Sequence, residues 1–147
     1  MPIHQMHHVG IVVEDLEAAR AFFLELGLEQ QGGGQVGGDL VDRIIGLEGV
    51  SSEIAMLETP DGRSRIELTR FLTPAGQGGD GPAPANATGI RHLAFEVDDL
   101  DAVLAGLKAR GTELVGTVER YEDVYRLCYV RGPEGIIVEL AERIGRD

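Results

Sequence analysis

Two histidines and two glutamates take matching places in the two halves of this 147-residue chain. His8 opens the stretch HVGIVVEDL and His92 opens HLAFEVDDL, while Glu67 stands in RIEL and Glu139 in VEL. Imidazole nitrogens and carboxylate oxygens bind divalent Zn, Ni, Co, Mn or Fe, and two carboxylates balance the charge of one such ion. The residue types therefore predict a divalent metal site supplied by both halves.

An internal repeat relates these four residues. Shifting the sequence by 84 positions aligns residues 8–29 with 92–113, and 8 of the 22 aligned residues are identical. Further along, TPDG at 59–62 precedes one glutamate as GPEG at 132–135 precedes the other. Any one of the four residues alone is most simply a solvated strand residue. Because the same chemistry recurs at equivalent points of two modules, the repeat favours metal binding.

Each module begins with a pattern typical of a β-strand. Val9, Ile11 and Val13 alternate with His8, Gly10 and Val12, so the imidazole lies on the face opposite the first three side chains. The second module repeats the alternation around His92. Both glutamates likewise stand between apolar residues, so each carboxylate projects away from the apolar face of its strand.

A helix is predicted after the first strand of each module. Asp15 and Asp99 occupy N-cap positions, where a carboxylate accepts hydrogen bonds from free backbone amides. Apolar residues then recur with the helical period. Gly27 and Gly111 end the helices, because glycine adopts the left-handed conformation without a Cβ clash.

Three further strands in each module complete a βαβββ unit. They are predicted at 28–36 or 41–46, 50–58 and 64–71 in the first module, and at 113–118, 124–131 and 136–142 in the second. Both repeated turns, TPDG and GPEG, have Pro at the favoured second position. The prediction is an α+β fold in which two curved mixed sheets form a metal-binding cleft.

The length fits a single domain, residues 1–147, of ordinary size. Module 1 spans 5–72 and module 2 spans 90–143. The intervening segment, 73–89, is rich in Gly, Pro and Ala and has no hydrophobic period, so it is interpreted as a linker.

The charge of the chain indicates which partners it disfavours, and its cysteine content indicates its cellular setting. With 13 basic and 25 acidic side chains the formal charge is −12, which disfavours nucleic acid and anionic membranes. No apolar run approaches the roughly 20 residues of a membrane span. One cysteine and no recognisable secretion signal indicate a reducing, cytoplasmic setting.

Two conspicuous features are interpreted as structural. The segment 32–37, GGGQVG, has the spacing of a dinucleotide-binding loop but follows a helix, so it is predicted to be a surface loop or, less simply, a lid. His7 adjoins His8, yet the alternation places it on the apolar side of the strand, and it has no histidine counterpart in the second module.

The region around Cys128 offers weaker candidates. Cys128 lies in a strand pattern, RLCYV, without an adjacent histidine, so a buried core thiol is favoured over a nucleophile. Tyr121, Tyr125, Arg126 and Arg43 could contact an anionic or carbonyl substrate. Each of these four is interpreted as structural.

The motifs HVGIVVEDL at 8–16, RIEL at 65–68, IRHLAFEVDDL at 90–100 and GPEGIIVEL at 132–140 resemble the vicinal oxygen chelate superfamily over nearly the whole chain. This group includes glyoxalase I, methylmalonyl-CoA epimerase, extradiol dioxygenases, fosfomycin-resistance transferases and bleomycin-binding proteins. The resemblance implies a homodimer and four metal ligands. These are His8, Glu67, His92 and Glu139.

The ligand order His, Glu, His, Glu is similar to that of bacterial glyoxalase I. The resemblance therefore implies a metal-dependent lyase or isomerase of glyoxalase I or epimerase type, which transfers a proton α to a carbonyl of a small-molecule substrate. Glu139 or Glu67 would be the base, and the likeness to glyoxalase I favours Glu139. The alternatives are an extradiol-type dioxygenase, against which the fourth ligand Glu67 argues, and a metal-free drug-binding resistance protein.

Overall fold

The chain divides into two compact units, Met1–Gly79 and Asp80–Asp147. The computed structural model describes residues 2–79 and 81–145. Each unit consists of one curved mixed sheet with a long helix packed on one face, which confirms the predicted α+β class. Among the described residues, none of the helices is both long and apolar enough to span a membrane.

Unit 1 contains four strands and two helices. They are β1 (Val9–Val12), α1 (Leu16–Leu26), β2 (Glu29–Gly37), α2 (Asp39–Ile45), β3 (Ser51–Glu58) and β4 (Arg65–Thr73). The strand order is β1-β4-β3-β2, with β1 parallel to β4 and the remaining pairs antiparallel. The parallel pair places the start of β1 beside β4, the strand that carries the first glutamate.

Unit 2 has the same plan, but the strands at one edge of its sheet are shorter. Its elements are β5 (His92–Val97), α3 (Leu100–Ala109), β6 (Glu113–Leu114), β7 (Glu119–Tyr121), β8 (Tyr125–Arg131), a 3₁₀ turn (Pro133–Gly135) and β9 (Ile137–Arg143). The order is β5-β9-β8-β6, and β7 also pairs with β8. Again the first strand is parallel to the last, and the others are antiparallel.

The core of each unit lies between the helix and the sheet. Phe23 of α1 and Leu57 and Leu68 of the sheet are fully buried in unit 1, as are Leu107 of α3 and Leu140 of β9 in unit 2. The apolar faces are those that the alternating pattern indicates. Their burial leaves the opposite face of each sheet to the histidines and glutamates.

Both predicted N-caps form. The Asp15 carboxylate accepts a hydrogen bond from the amide of Ala18 at 3.0 Å, and Asp99 accepts one from Ala102 at 3.1 Å. Gly27 ends α1 in the left-handed region, with φ of 113°. The cap residue of α3 is Arg110, and the left-handed glycine expected at its end, Gly111, follows it.

The strand predicted at 28–36 forms as β2, and it includes the glycine-rich segment 32–37, so the competing prediction of a loop or lid is wrong. It pairs with β3 after a bulge between Gln30 and Gly32. A Cβ on Gly33 would lie 2.7 Å from the carbonyl oxygen of Ile54, so the absence of side chains permits this close approach. Ladder hydrogen bonds to a neighbouring strand override the low β-propensity of glycine.

The alternative strand at 41–46 is also wrong, because α2 occupies these residues. The Asp42 carboxylate accepts hydrogen bonds from the amides of Gly49 and Val50, both at 2.9 Å, and so closes the loop after the helix. Helix formation brings this short side chain within reach of both amides.

Three smaller expectations also change. The strand at 113–118 is reduced to the two residues of β6, and β7 follows separately. GPEG forms a 3₁₀ turn in which Glu134 has φ of 56°. Thr73, assigned to the linker by its sequence, ends β4, where its hydroxyl donates to the carbonyl of Gly49 at 2.8 Å. Residues 74–79 and 81–91 contain no helix or strand.

Candidate metal centre

In unit 1, the register of the parallel pair places His8 beside Glu67. Gly10 of β1 pairs with Glu67 of β4, and His8 lies two residues earlier on the same face. The Nε2 atom of His8 is 4.0 Å from Oε2 of Glu67, and both side chains are about one-third exposed. A partly buried imidazole therefore faces a partly buried carboxylate.

Unit 2 uses the same register for its own pair. Ala94 of β5 pairs with Glu139 of β9, and His92 again lies two residues before the pairing residue. Here Nε2 of His92 is 3.4 Å from Oε1 of Glu139. The two pairs thus share one arrangement. In each unit, the histidine lies two residues before the residue that pairs with the glutamate.

These separations suit groups that share a cation better than a direct hydrogen bond. A hydrogen bond from nitrogen to oxygen spans about 2.7–3.2 Å. Two donors that each lie about 2.1 Å from one divalent ion are about 3.0–3.4 Å apart at the angles of tetrahedral or octahedral coordination. The pair of unit 2 matches this spacing, whereas the pair of unit 1, at 4.0 Å, is wider, so the donors of unit 2 fit a divalent ion and those of unit 1 would have to approach each other to share one.

Each unit by itself supplies two such groups. Neither unit gathers three or more His, Cys, Asp or Glu side chains at one place, as far as residues 2–79 and 81–145 are concerned. The structure brings His8 to Glu67 and His92 to Glu139. The grouping of all four around one ion stays a prediction.

The histidine of unit 1 has a partner that the sequence interpretation missed. His7 is exposed and precedes β1, so the alternation does not bury it. Its Nδ1 atom lies 2.7 Å from Nδ1 of His8, so one of these two atoms carries the shared proton. A proton on Nδ1 of His8 leaves a lone pair on Nε2, the atom that faces Glu67. The two adjacent histidines in the sequence were the signal from which this contact could have been predicted.

Tyr129 has a comparable place in unit 2. It is the β8 residue that pairs with Glu139, and its ring lies 4.8 Å from the imidazole of His92, centroid to centroid. The corresponding partner of Glu67 is Met56. Tyr129 was missed as well, since its contact depends on the pairing of β8 with β9.

Two other candidates are structural, as expected. Cys128 is buried, and its burial raises the pKa of the thiol, which disfavours the reactive thiolate. Arg126 donates to the Asp101 carboxylate of α3 at 2.6 Å, and this bond lowers the pKa of that carboxyl. Arg126 therefore joins the helix to the sheet.

The sequence was also compared with those of known proteins. The profile described as "Glyoxalase/Bleomycin resistance protein/Dioxygenase superfamily" matches residues 7–129. The chain belongs to this superfamily. The match spans most of both units and confirms the resemblance drawn from the sequence motifs.

Two relatives match almost the whole chain. This chain is 30% identical over 144 residues to the uncharacterized protein YaeR of Escherichia coli (strain K12), and the match covers 96% of this chain and 98% of YaeR. Among solved structures, a glyoxalase family protein from Bacillus cereus is 48% identical with a TM-score of 0.94, covering 99% of this chain and 97% of that one.

A more distant neighbour shares the fold alone. The genomically encoded fosfomycin resistance protein FosX from Listeria monocytogenes has a TM-score of 0.63 at 20% identity, covering 99% of this chain and 96% of its own. The superfamily includes enzymes, which places the two histidine–glutamate pairs in a fold that supports catalysis.

Proposed function

We propose that this protein is a divalent-metal-dependent lyase or isomerase that transfers a proton at the carbon next to a carbonyl of a small-molecule substrate. His8, Glu67, His92 and Glu139 are the proposed ligands, and the metal is one of Zn, Ni, Co, Mn or Fe. The observation that carries the proposal is the repeated pair of partly buried imidazole and carboxylate groups at the same register position in both units.

The choice of metal chemistry has support from the fold. A mutant form of FosX from Listeria monocytogenes has been crystallised with Mn(II) and 1S,2S-dihydroxypropylphosphonic acid. That structure is 16% identical to this chain with a TM-score of 0.59, so it supports a general role of the fold and no residue assignment.

Glu139 is the proposed base. When bound, a divalent ion supplies a Lewis acid that stabilises negative charge on a carbonyl oxygen. Glu139 takes the proton from the adjacent carbon onto a carboxylate oxygen, and the electron pair of the broken C–H bond moves into the enolate. The same carboxyl then returns the proton to the former carbonyl carbon, while the proton of the substrate's adjacent hydroxyl group moves to the former carbonyl oxygen and the hydroxyl carbon becomes the new carbonyl. Glu139 lies on the strand between those of His92 and Tyr129, whose rings contact each other.

The assignment of Glu139 as the base predicts that proton exchange slows when its carboxylate is removed. Glu139→Gln should slow deuterium uptake from deuterium oxide at the α-carbon of α-hydroxyacetophenone by about 100-fold or more, the usual contribution of a positioned base. NMR follows the exchange, and elemental analysis of each variant checks that metal is retained. Glu25→Gln, an exposed change on α1, is the matched control. Undiminished exchange by metal-loaded Glu139→Gln would remove Glu139 from this role.

A second candidate is a metal-free ligand-binding protein, which the aromatic cavity beside Glu139 favours. Elemental analysis after purification without chelator separates the two, because one ion per chain contradicts simple sequestration. Oxygen uptake with catechols after Fe(II) loading would instead select an extradiol-type dioxygenase. We further propose that the protein acts as a homodimer, which sedimentation measures directly.

A further inference from the structure

Unit 2 contains a cavity of about 530 Å³ on the sheet face that carries Glu139. Two alanines, Ala94 and Ala141, belong to its lining, and each pairs with a glutamate on the adjacent strand. Small side chains at these positions leave space between longer neighbours. The volume lies within the range of roughly 300–1,000 Å³ that is typical of small-molecule sites.

All three tyrosines of the chain line this cavity. Tyr121, Tyr125 and Tyr129 follow at intervals of four residues along the hairpin formed by β7 and β8, and Tyr121 pairs with Tyr125. The corresponding strand of unit 1, β3, has Met56, Ile54 and no tyrosine. Aromatic faces stack on flat rings, so this wall is suited to a planar ligand.

The charges around the cavity disfavour an anion. Of the residues described in its lining, the charged ones are Glu96 and Glu139, and none is Lys or Arg. Arg143 lies close by, but its guanidinium donates to the Tyr125 hydroxyl at 2.7 Å and lies 3.7 Å from Glu96. The same group also stacks at 4.9 Å from the centroid of the Tyr125 ring. These contacts already engage it.

The cavity adjoins the proposed chemistry. Glu139 belongs to its lining, and the ring of Tyr129 contacts the imidazole of His92. A flat group seated against the tyrosines therefore has its edge near the carboxylate proposed as base. The position of the ring determines which carbon of a substrate Glu139 can reach.

We propose that this cavity binds an uncharged, planar ring, so that the substrate is an α-hydroxycarbonyl compound with an aryl substituent. A carboxylate or phosphonate on the ring would meet no Lys or Arg among the described lining residues. This inference rests on the proposed function for the reacting end of the substrate. The ring specificity itself comes from the tyrosines and the absence of cations in the described lining.

The test compares two hydroxamic acids that share one metal-binding head group. Calorimetry measures their affinity for the cobalt-loaded protein. Benzohydroxamic acid should bind at least about tenfold more tightly than acetohydroxamic acid, because its phenyl ring is buried. A para-carboxy group on the ring should abolish that gain.

Substitutions then locate the ring. Ala94→Leu fills the cavity and should abolish the phenyl gain, so that this variant binds benzohydroxamic and acetohydroxamic acid with equal affinity. Ala105→Leu, the same change at an exposed position of α3, should keep the gain. Equal affinities of the two acids for wild-type protein, or an undiminished gain in Ala94→Leu, would overturn the proposal.

A different outcome separates this inference from the proposed function. Failure of both hydroxamic acids to bind, or of cobalt to bind, contradicts the metal-dependent chemistry. Benzamide added to metal-free protein then tests, independently of the metal, whether the cavity binds an uncharged planar ring. Shifts of the tyrosine ring signals in NMR that disappear in Ala94→Leu support the proposal, and unchanged signals overturn it.

Discussion

At the scale of single residues, the two imidazoles differ in their support. His92 packs against the ring of Tyr129, whereas His8 contacts His7 through a nitrogen. A neighbour that holds the proton on Nδ1 fixes the tautomer in which Nε2 is free to bind a metal. We therefore propose that His7 positions His8 through this contact, whereas in unit 2 the ring of Tyr129 packs against His92.

Replacing His7 with alanine should weaken metal binding. The expected loss is about tenfold, at the low end of the effect of such supporting residues, because this contact is exposed. Competition with a chromogenic chelator for Co(II) measures it. His4→Ala removes another exposed histidine of the same segment and should change nothing. Similar affinities for the His7 and His4 variants would contradict the assignment.

At the scale of elements, each glutamate reaches its histidine through a parallel strand pair. A shift of one residue in either register would turn the carboxylate to the opposite face of the sheet. The helix that follows the first strand returns the chain to the opposite edge of the sheet. Its beginning is set by a capping aspartate in both units.

Removing either cap should destabilise the protein moderately. Asp15→Ala and Asp99→Ala each remove a carboxylate that accepts from a backbone amide, at an expected cost of about 1 kcal/mol in the free energy of unfolding. Urea denaturation followed by circular dichroism measures it. Asp98→Ala, next to the second cap and outside the helix, is the control. A loss of equal size in Asp98→Ala would show that charge, and not capping, is responsible.

At the scale of the whole molecule, two similar units each provide half of the proposed ligand set. A single pair offers one nitrogen and one oxygen donor, which is few for a tightly held transition metal. Two pairs offer four donors and two negative charges for one divalent ion.

This division predicts one metal ion per chain. His8→Ala and His92→Ala should each abolish tight binding, since both pairs are required, while wild-type protein binds one equivalent. Titration with Co(II) followed by visible absorption measures the stoichiometry. Two ions per wild-type chain, reduced to one in each variant, would show that the units bind metal separately and would contradict a shared centre.

Much of the fold follows from patterns along the chain. Alternation around His8 and His92, the helical period and the capping aspartates depend on neighbours within a few residues, so a single sequence contains them. The internal repeat matched histidine with histidine and glutamate with glutamate, which added a shared metal site as a hypothesis.

Other features depend on contacts between distant parts of the chain. The glycine-rich segment 32–37 forms a strand because β3 supplies hydrogen bonds, and at Gly33 the approach of β3 leaves no space for a Cβ. The tyrosine cavity exists because β7, β8 and β9 pair in one register, which places Tyr129 beside Glu139. The first strand, the capped helix and the reactive residue types of each unit could be read from the sequence, since these depend on local period and chemistry. Which side chains meet across strands follows from the fold, because strand register is set by pairing between residues far apart in the chain.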